Sequence, residues 1–190
     1  LGYIPLGFTR ATIIHIPVII ASLLMGPKKG GALGFLFGLT SFINNTINPS
    51  ATSFVFTPFY SLGEFSGGIG SVIICFIPRI LVGIIPYFVY KLVLRLSSET
   101  TKNRGVSNIG LVLAGISGAL VNTLLVMNLI YIFFGDAYIK ASEKAVSLGY
   151  MVILSIIGIN GVPEAIIAGI LTLCIGKVLL KKNVRERLGF

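Results

Sequence analysis

Residues 109–134 read IGLVLAGISGALVNTLLVMNLIYIFF, a run without a single charged side chain. A helix rises 1.5 Å per residue, so about 20 apolar residues suffice to cross the ~30 Å hydrocarbon core of a bilayer. The whole chain shares this character: of 190 residues, 55% are hydrophobic and 11% charged, and mean hydropathy is +0.97. A soluble domain carries roughly 25% charged residues. We therefore predict an integral membrane protein, an all-α bundle of transmembrane helices in a single domain.

Four more apolar runs are candidate spans, at residues 11–25, 30–43, 68–90 and 162–180. The last two are long enough to cross a bilayer. The first two are shorter, and taken alone each also fits a buried core helix. Their hairpin arrangement around the basic turn 26–29 favours two short crossings. The apolar stretch 148–159 is too short to cross and return, so we interpret it as a segment that dips in from one face.

The basic residues indicate the orientation of the bundle. Eleven of the fifteen Lys and Arg fall on one side of the predicted spans: Lys28, Lys29, Lys91, Arg95, Lys102, Arg104, Lys177, Lys181, Lys182, Arg185 and Arg187. The positive-inside rule makes this side cytoplasmic, with the C-terminal tail 181–190. Residues 1–10 then form an outer loop, and five crossings place Leu1 outside. We therefore expect one further helix before Leu1 and six crossings in the intact protein. Basic clusters between apolar runs argue against a nucleic-acid partner.

Residues 44–63, NNTINPSATSFVFTPFYSLG, form a long polar and aromatic segment on the predicted outer side. Such a segment is typical of a lid that folds over a bundle mouth. The alternative is an aromatic belt at the membrane interface.

Small residues recur at every fourth position in several predicted helices: Gly26, Gly30, Gly34 and Gly38; Gly110, Ala114 and Gly118; Gly63, Gly67 and Ser71; Gly161, Ala165 and Gly169. Small-residue faces let membrane helices approach closely. Each row predicts either tight packing within the chain or a surface for a partner subunit.

Arg79 lies about eleven residues into the span 68–90, or roughly 16 Å along its axis. A guanidinium that faces lipid at that depth costs at least ~2.5–3.5 kcal/mol, so it must face the interior and find an anion, carbonyl groups or water. One interpretation is a cationic anchor for an anionic or strongly polar ligand, with Pro78 kinking the helix to open a pocket. The other is an internal pair with Glu164 or with helix-end carbonyls.

Polar residues of the span 109–134 are further candidate ligand contacts. Asn122 shares a helix face with Gly118 and Ala114, which predicts that it points into the bundle. An interhelical hydrogen bond, worth about 0.6 kcal/mol, is the alternative role. Asn128 lies six residues further and points in a different direction, so only one of the two need face a cavity. Tyr131 either lines the pocket mouth or marks the interface.

Residues 160–164, NGVPE, read as the start of a helix, because Pro163 suits an early-turn position and Glu164 suits the positive end of the helix dipole. The free N–H groups beside Asn160 fit an anionic ligand, although Glu164 would oppose one. His15 has no Cys, His or carboxylate at ligand spacing, so we interpret it as a hydrogen-bonded core residue and predict no metal site.

Catalytic signatures are absent from the sequence. It has no GxxxxGKS/T loop, so the chain cannot by itself couple ATP hydrolysis to transport. One histidine and few carboxylates leave little for proton relay or hydrolysis. We expect no enzymatic activity and no cofactor in this chain.

Several motifs point to a known family. They are TRATIIHIPVII at 9–20, Gly26-Pro27-Lys28, GFLFGL at 34–39, Pro78-Arg79-Ile80 and Pro163-Glu164-Ala165. Over nearly the whole chain the sequence resembles the substrate-binding S components of energy-coupling-factor (ECF) transporters, and it looks most similar to their pantothenate-specific branch.

The resemblance implies a six-helix S component that captures a vitamin at its outer face. It would then associate with a transmembrane coupling subunit and two cytoplasmic ATPase subunits, which use ATP and Mg²⁺, and topple in the membrane to release the vitamin inside. The family contacts its coupling subunit through an alanine-rich motif on the first helix, which has no counterpart here, so those contacts are not assigned.

Family ligand sites use the outer loops and the last three helices, where Arg79, Asn122 and Asn160 fall. Pantothenate is a carboxylate, so Arg79 is its expected anchor and Arg10 the second choice. Three alternatives remain. An S component for riboflavin, folate or pyridoxine would share the architecture. A stand-alone channel would need a continuous polar stripe, and a membrane enzyme would need a nucleophile–base pair or a metal cluster.

Overall fold

The computed structural model describes residues 3–6, 9–12, 14–96, 107–141 and 150–181. Its elements are β1 (Tyr3–Leu6), β2 (Thr9–Thr12), α1 (His15–Met25), α2 (Pro27–Ile47), a 3-10 turn (Ser53–Val55), β3 (Ser61–Leu62), β4 (Phe65–Ser66), α3 (Ile69–Val82), α4 (Ile85–Leu96), α5 (Asn108–Ala141), α6 (Tyr150–Ile156), a π turn (Ile157–Gly161) and α7 (Val162–Leu179). The strands form two antiparallel hairpins, β1–β2 and β3–β4. Apart from these hairpins and turns, the described part is helical, as the sequence predicts.

Three helical stretches of the described chain are long and apolar enough to cross a membrane: Ile69–Leu96, Asn108–Ile139 and Tyr150–Leu179. They correspond to the three longest predicted spans. Large apolar side chains remain exposed along them, including Ile69 at 83% and Ile132 at 69%. Helices that are apolar on both their inner and outer faces are typical of membrane spans, because the outer face contacts lipid.

The first two helices differ from the predicted runs in their bounds. The span predicted at 11–25 begins only at His15, because Thr9–Thr12 pairs with Tyr3–Leu6 as a strand. The next helix, Pro27–Ile47, extends beyond the predicted 30–43 at both ends. Gly26 joins the two helices with a φ of +87°, a value that glycine adopts readily.

The interpretation of residues 148–159 as a separate dipping segment is wrong. Tyr150–Leu179 is one helical stretch of 30 residues, which includes the π turn Ile157–Gly161. Pro163 follows this turn in the first turn of α7. A proline has no N–H to donate, and the wider hydrogen-bond spacing of a π turn lets a helix pass such a position. The sequence pattern of a helix start was therefore found inside a longer helix.

The backbones of α2 and α3 touch through the α2 glycines. A Cβ at Gly34 would overlap the carbonyl oxygen of Arg79, and a Cβ at Gly30 would overlap that of Gly83. Gly30, Gly34 and Gly38 of this row therefore pack within the chain, which is the first of the two predicted roles, whereas a Cβ at Gly26 would meet no atom within 4 Å. The third span is interrupted at Gly83 and Ile84, where α3 gives way to α4, and not at Pro78, which is buried inside α3.

The segment 51–68 packs onto the end of the bundle where α3 begins. Phe54 and Val55 are fully buried, together with Ile74 of α3 and Ile130 of α5. The neighbouring ring of Phe59 is 75% exposed. The aromatic residues of this segment thus divide between a packed group and an exposed surface. The first residues of the predicted segment 44–63 belong to α2, which ends at Ile47. We call residues 51–68 the cap.

Helix α5 forms the centre of the bundle and packs against α3, α4 and α7. Its fully buried residues Leu111, Ala114, Ala119 and Ile130 belong to three successive core clusters. The helix is interrupted at Phe134, whose φ of −140° and ψ of 22° are non-helical, and whose ring meets the Phe54 ring of the cap edge-on. The span predicted at 109–134 therefore ends where α5 bends.

Candidate functional site

A polar contact joins α5 to the start of α7 within the apolar bundle. Thr123 is buried, and its hydroxyl donates a hydrogen bond to Oε2 of Glu164 over 3.2 Å. Gly161 allows this approach, since a Cβ there would lie 3.1 Å from the Thr123 methyl group. The π turn thus meets α5 one residue beyond Asn122.

Asn122 and Asn160 flank this contact, and each has a buried side-chain carbonyl oxygen that accepts no hydrogen bond. A buried acceptor without a donor is destabilising by about 1–3 kcal/mol. Such groups are uncommon in folded proteins and mark places where a ligand or water supplies the missing donor. Both residues are candidates from the sequence, and the structure brings their chain segments together at Thr123 and Gly161.

Arg79 is buried in α3, with 7% of its surface exposed. Its Nη1 donates a hydrogen bond to the carbonyl oxygen of Ile74 over 2.7 Å. The guanidinium also lies 5.3 Å from the ring centre of Phe56 in the cap and 5.8 Å from that of Phe37 in α2. The side chain therefore points into protein beneath the cap, where it has both a helix carbonyl and aromatic faces as neighbours.

Contacts along α5 place Arg79 at the depth of the Asn122 region. Gly70 lies against Phe133, and Pro86 lies against Gly118, so the third span runs antiparallel to α5. Arg79 comes nine residues after Gly70, so it is level with the α5 residue about nine positions before Phe133, which is residue 124. This position is about 3 Å from Asn122 along the α5 axis. The backbone positions of Arg79, Asn122 and Asn160 thus lie at a similar depth of the bundle, on α3, α5 and the π turn, and we call these three residues the polar layer. The guanidinium itself extends from this depth toward Ile74 and the cap.

Asn128 and Tyr131 belong to a second group, nearer the bend in α5. Nδ2 of Asn128 donates to the carbonyl oxygen of Leu124 over 2.7 Å, and its Oδ1 accepts from the hydroxyl of Tyr150 over 2.8 Å. The Tyr131 and Tyr150 rings meet edge-on with centres 5.0 Å apart. Sequence reasoning missed Tyr150, which begins the helix that contains the π turn.

The last two residues singled out from the sequence, Arg10 and His15, lie near the start of the chain. Arg10 belongs to β2, where it pairs with Pro5, but its side chain lies outside the described residues. His15 is 1% exposed at the start of α1. Within the described ranges, no three His, Cys, Asp or Glu side chains cluster closely enough to hold a metal ion.

The layer of Arg79, Asn122 and Asn160 has a definite chemical preference. It offers a cation and two carbonyl acceptors inside low-dielectric surroundings, where charge-assisted and neutral hydrogen bonds are strong. The Glu164 carboxylate, bonded to Thr123 between the two asparagines, adds a negative charge on that side. The anionic group of a ligand is therefore favoured at Arg79, and its hydrogen-bond donors at the asparagines. A complementary ligand is a small organic anion that also carries hydroxyl or amide N–H donors.

Comparison with known proteins gives the family. The family model described as "ECF transporter, substrate-specific component" matches residues 1–176. The "Pantothenic acid transporter PanT" of Lactococcus lactis subsp. cremoris (strain MG1363) is 42% identical over 173 residues, which cover 90% of this chain and 79% of that protein. The "Pantothenate transporter PanT" of Leuconostoc mesenteroides subsp. mesenteroides is 32% identical over 202 residues, covering 100% of this chain and 85% of that protein.

These matches extend along the same helices that carry the long apolar spans and the polar layer. They confirm the predicted membrane-embedded helical bundle and the resemblance drawn from the motifs. The chain belongs to the family of substrate-specific components of ECF transporters.

Proposed function

We propose that this chain is the substrate-binding subunit of an ATP-driven importer of pantothenate. The observation that carries the proposal is the similarity, over 79% and 85% of their lengths, to two proteins named as pantothenate transporters. The polar layer adds chemical support. Pantothenate has a carboxylate, hydroxyl groups and an amide N–H, and the layer offers a cation and two carbonyl acceptors.

We assign Arg79 to the carboxylate of pantothenate. A buried Arg–carboxylate pair is stabilising only when both partners are well hydrogen-bonded, and the bond to Ile74 together with the rings of Phe37 and Phe56 already orients the guanidinium. The carbonyl oxygens of Asn122 and Asn160 then accept hydrogen bonds from the hydroxyl and amide donors of the ligand.

Three further residues complete the proposed site. Asn128 and Tyr131, held by Tyr150, form the rim through which the ligand enters. Arg10 is the second-choice anchor for the carboxylate. No cofactor takes part in this binding.

The proposed partners are a transmembrane coupling subunit and two cytoplasmic ATPase subunits, which bind and hydrolyse ATP with Mg²⁺. The sequence contains no phosphate-binding GxxxxGKS/T loop, which supports this division of labour. The chain itself then catalyses no reaction. In this arrangement the protein is a multi-pass component of the cell membrane with its basic end and C-terminus in the cytoplasm.

The ligand is tested by calorimetric titration of the purified protein with pantothenate, riboflavin, folate and pyridoxine. We expect saturable binding of pantothenate and no binding of the other three. Tight binding of another vitamin, with none of pantothenate, would overturn the substrate assignment and leave the family unchanged. The assembly is tested separately, by purification of a tagged chain from native membranes and identification of co-purified ATPase subunits.

The anchor is tested by Arg79→Ala, with Arg95→Ala as the matched control. Arg95 is an exposed arginine of α4 at the other end of the bundle. We expect Arg79→Ala to abolish measurable pantothenate binding and Arg95→Ala to leave affinity unchanged, with both variants monodisperse on size exclusion. Unchanged affinity of a folded Arg79→Ala protein would refute the role of Arg79.

A further inference from the structure

A cavity lies at the end of the bundle opposite the cap. Its volume is about 370 Å³, and its lining includes Leu23, Leu24, Tyr87, Lys91, Leu94 and Leu180. Tyr90, another lining residue, contacts Gly110 of α5, which is twelve residues, or about 18 Å, from Asn122. The cavity is thus separate from the proposed pantothenate site. It is formed by the last turn of α1, one face of α4 and the end of α7.

Lys91 supplies a positive charge to this cavity, whose other lining residues are leucines, tyrosines, a methionine and a glycine. Its Nζ lies 4.8 Å from the ring centre of Tyr87, so a cation–π contact holds the ammonium group beside the cavity. More basic residues follow the lining residues closely in sequence. Lys28 and Lys29 lie in the first turn of α2, just after Gly26 of the lining, and Lys181 directly follows Leu180.

The positive charge at this end is unopposed within the described chain. The acidic residues of the described chain are Glu64 in the cap, Asp136 beyond the bend of α5 and Glu164 in the first turn of α7. All three belong to the other half of the bundle. A negatively charged group at Lys91 therefore meets attraction from several lysines and no nearby carboxylate among the described residues.

We propose that this cavity binds one anionic phospholipid. The phosphate group lies at Lys91, within reach of the field of Lys28, Lys29 and Lys181, and an acyl chain lies along Leu23, Leu24 and Leu94. Basic pockets between membrane helices select anionic headgroups through this combination of cations and apolar walls. A volume of about 370 Å³ falls within the usual 300–1,000 Å³ of small-molecule sites.

The apolar walls distinguish a lipid from a free phosphate ion. An inorganic ion gains nothing from leucine side chains, whereas an acyl chain packs against them by van der Waals contact as it does against neighbouring lipid chains. Tyr87 and Tyr90 fit this depth, since tyrosine is enriched where apolar and headgroup regions meet.

The test is native mass spectrometry of the purified chain titrated with phosphatidylglycerol or phosphatidylcholine of identical acyl chains. We expect tighter binding of phosphatidylglycerol. Lys91→Gln should weaken phosphatidylglycerol binding by about five-fold and leave phosphatidylcholine binding unchanged. The matched control is Lys177→Gln, which removes an exposed charge of α7 outside the cavity and should have no effect. Leu24→Trp fills the apolar part and should weaken the binding of both lipids.

Four results would overturn the proposal. They are equal binding of the two lipids by the unaltered chain, equal effects of Lys91→Gln and Lys177→Gln, displacement of phosphatidylglycerol by millimolar inorganic phosphate, and displacement by a co-purified membrane subunit. The last two would assign the cavity to a free anion or to a protein partner. Thermal unfolding of each variant in detergent checks that the fold is retained.

Discussion

Two buried carbonyl oxygens give this bundle its clearest sign of a binding site at the scale of single residues. Asn122 and Asn160 each have a side-chain oxygen with no hydrogen-bond donor, on either side of the bond from Thr123 to Glu164. The hydroxyls of Ser22 and Thr172 are also buried without a partner, but they stand apart from this pair. An acceptor that is left unpaired lowers the stability of the free protein. A site shaped for a ligand keeps such a group because the ligand supplies the donor.

The first prediction is a trade-off between stability and binding at Asn122. Asn122→Leu replaces the unpaired amide by an apolar group of similar size, so it should stabilise the ligand-free protein by about 1 kcal/mol. The same change should weaken pantothenate binding about ten-fold, because one hydrogen bond to the ligand is lost. Thermal unfolding without ligand and calorimetric titration measure the two effects.

Asn128→Leu is the matched control for this trade-off. The amide of Asn128 is already bonded to Leu124 and Tyr150, so the same chemical change should lower the stability of the ligand-free protein. If Asn122→Leu also lowered stability and left affinity intact, the Asn122 side chain would be structural only.

Gly34 is a position where adding a single methyl group should markedly lower the stability of the protein. A Cβ there would overlap the carbonyl oxygen of Arg79, and backbone cannot move aside without separating α2 from α3. Gly34→Ala should therefore destabilise the protein by about 1–3 kcal/mol and weaken ligand binding through displacement of Arg79. Gly158→Ala is the control, since a Cβ at Gly158 meets no atom within 4 Å. Thermal unfolding that ranks the two variants equally would contradict the close helix contact.

Sequence reasoning reached some of these residues and missed others for a physical reason. Asn122 was predictable because it shares a helix face with Gly118 and Ala114, and helical spacing alone decides which residues share a face. The partner of Asn128 was not predictable in this way. Tyr150 lies on another helix, and its approach to Asn128 depends on how that helix is turned about its axis.

At the scale of elements, apolar length was a good guide to long helices and a poor guide to their ends. The helix at 109–134 was predictable because only a helix satisfies its own backbone hydrogen bonds in lipid. The π turn at Ile157–Gly161 was not predictable, because a single wider turn inside a helix does not produce a recognisable spacing of apolar residues. The strand at Thr9–Thr12 was also hidden, since its short sequence TRAT has no alternation of apolar and polar residues, and the predicted span already included its last two residues.

The attachment of the cap to the bundle depends on Ser71 in the first turn of α3. Its buried hydroxyl donates to the carbonyl oxygen of Phe54 over 2.6 Å and accepts from the N–H of Gly68 over 3.0 Å. Ser71→Ala leaves both backbone groups without this partner, so we expect a loss of about 1–3 kcal/mol and faster amide hydrogen exchange in the cap. Hydrogen exchange followed by mass spectrometry reports the location of the change.

Ser117→Ala serves as the control at the same scale. The Ser117 hydroxyl bonds only to the carbonyl oxygen of Ala114 in its own helix, an interaction that adds little to helix stability. Exchange in the cap should then equal that of the unaltered protein. Equal exchange in the Ser71→Ala variant would show that apolar packing around Phe54 alone holds the cap.

At the scale of the whole molecule, the two ends of the bundle differ in both charge and packing. One end carries the cap, Asp136 and the rim around Tyr150, and the other carries Lys28, Lys29 and the lipid cavity. Positive loops are retained in the cytoplasm during membrane insertion. This asymmetry predicts that the cap faces the outside, which is the side from which an importer must collect its ligand.

Cysteine labelling in intact cells tests that orientation. In a Cys174→Ser background, which removes the exposed native thiol and keeps the buried Cys75, single cysteines are introduced as Ala51→Cys in the cap and Lys28→Cys at the basic end. Both positions are exposed, so accessibility depends on the side of the membrane. A membrane-impermeant maleimide should label Ala51→Cys in whole cells and Lys28→Cys only after permeabilisation. The reverse pattern would put the cap on the cytoplasmic side and contradict uptake through the cap end, whatever the identity of the ligand.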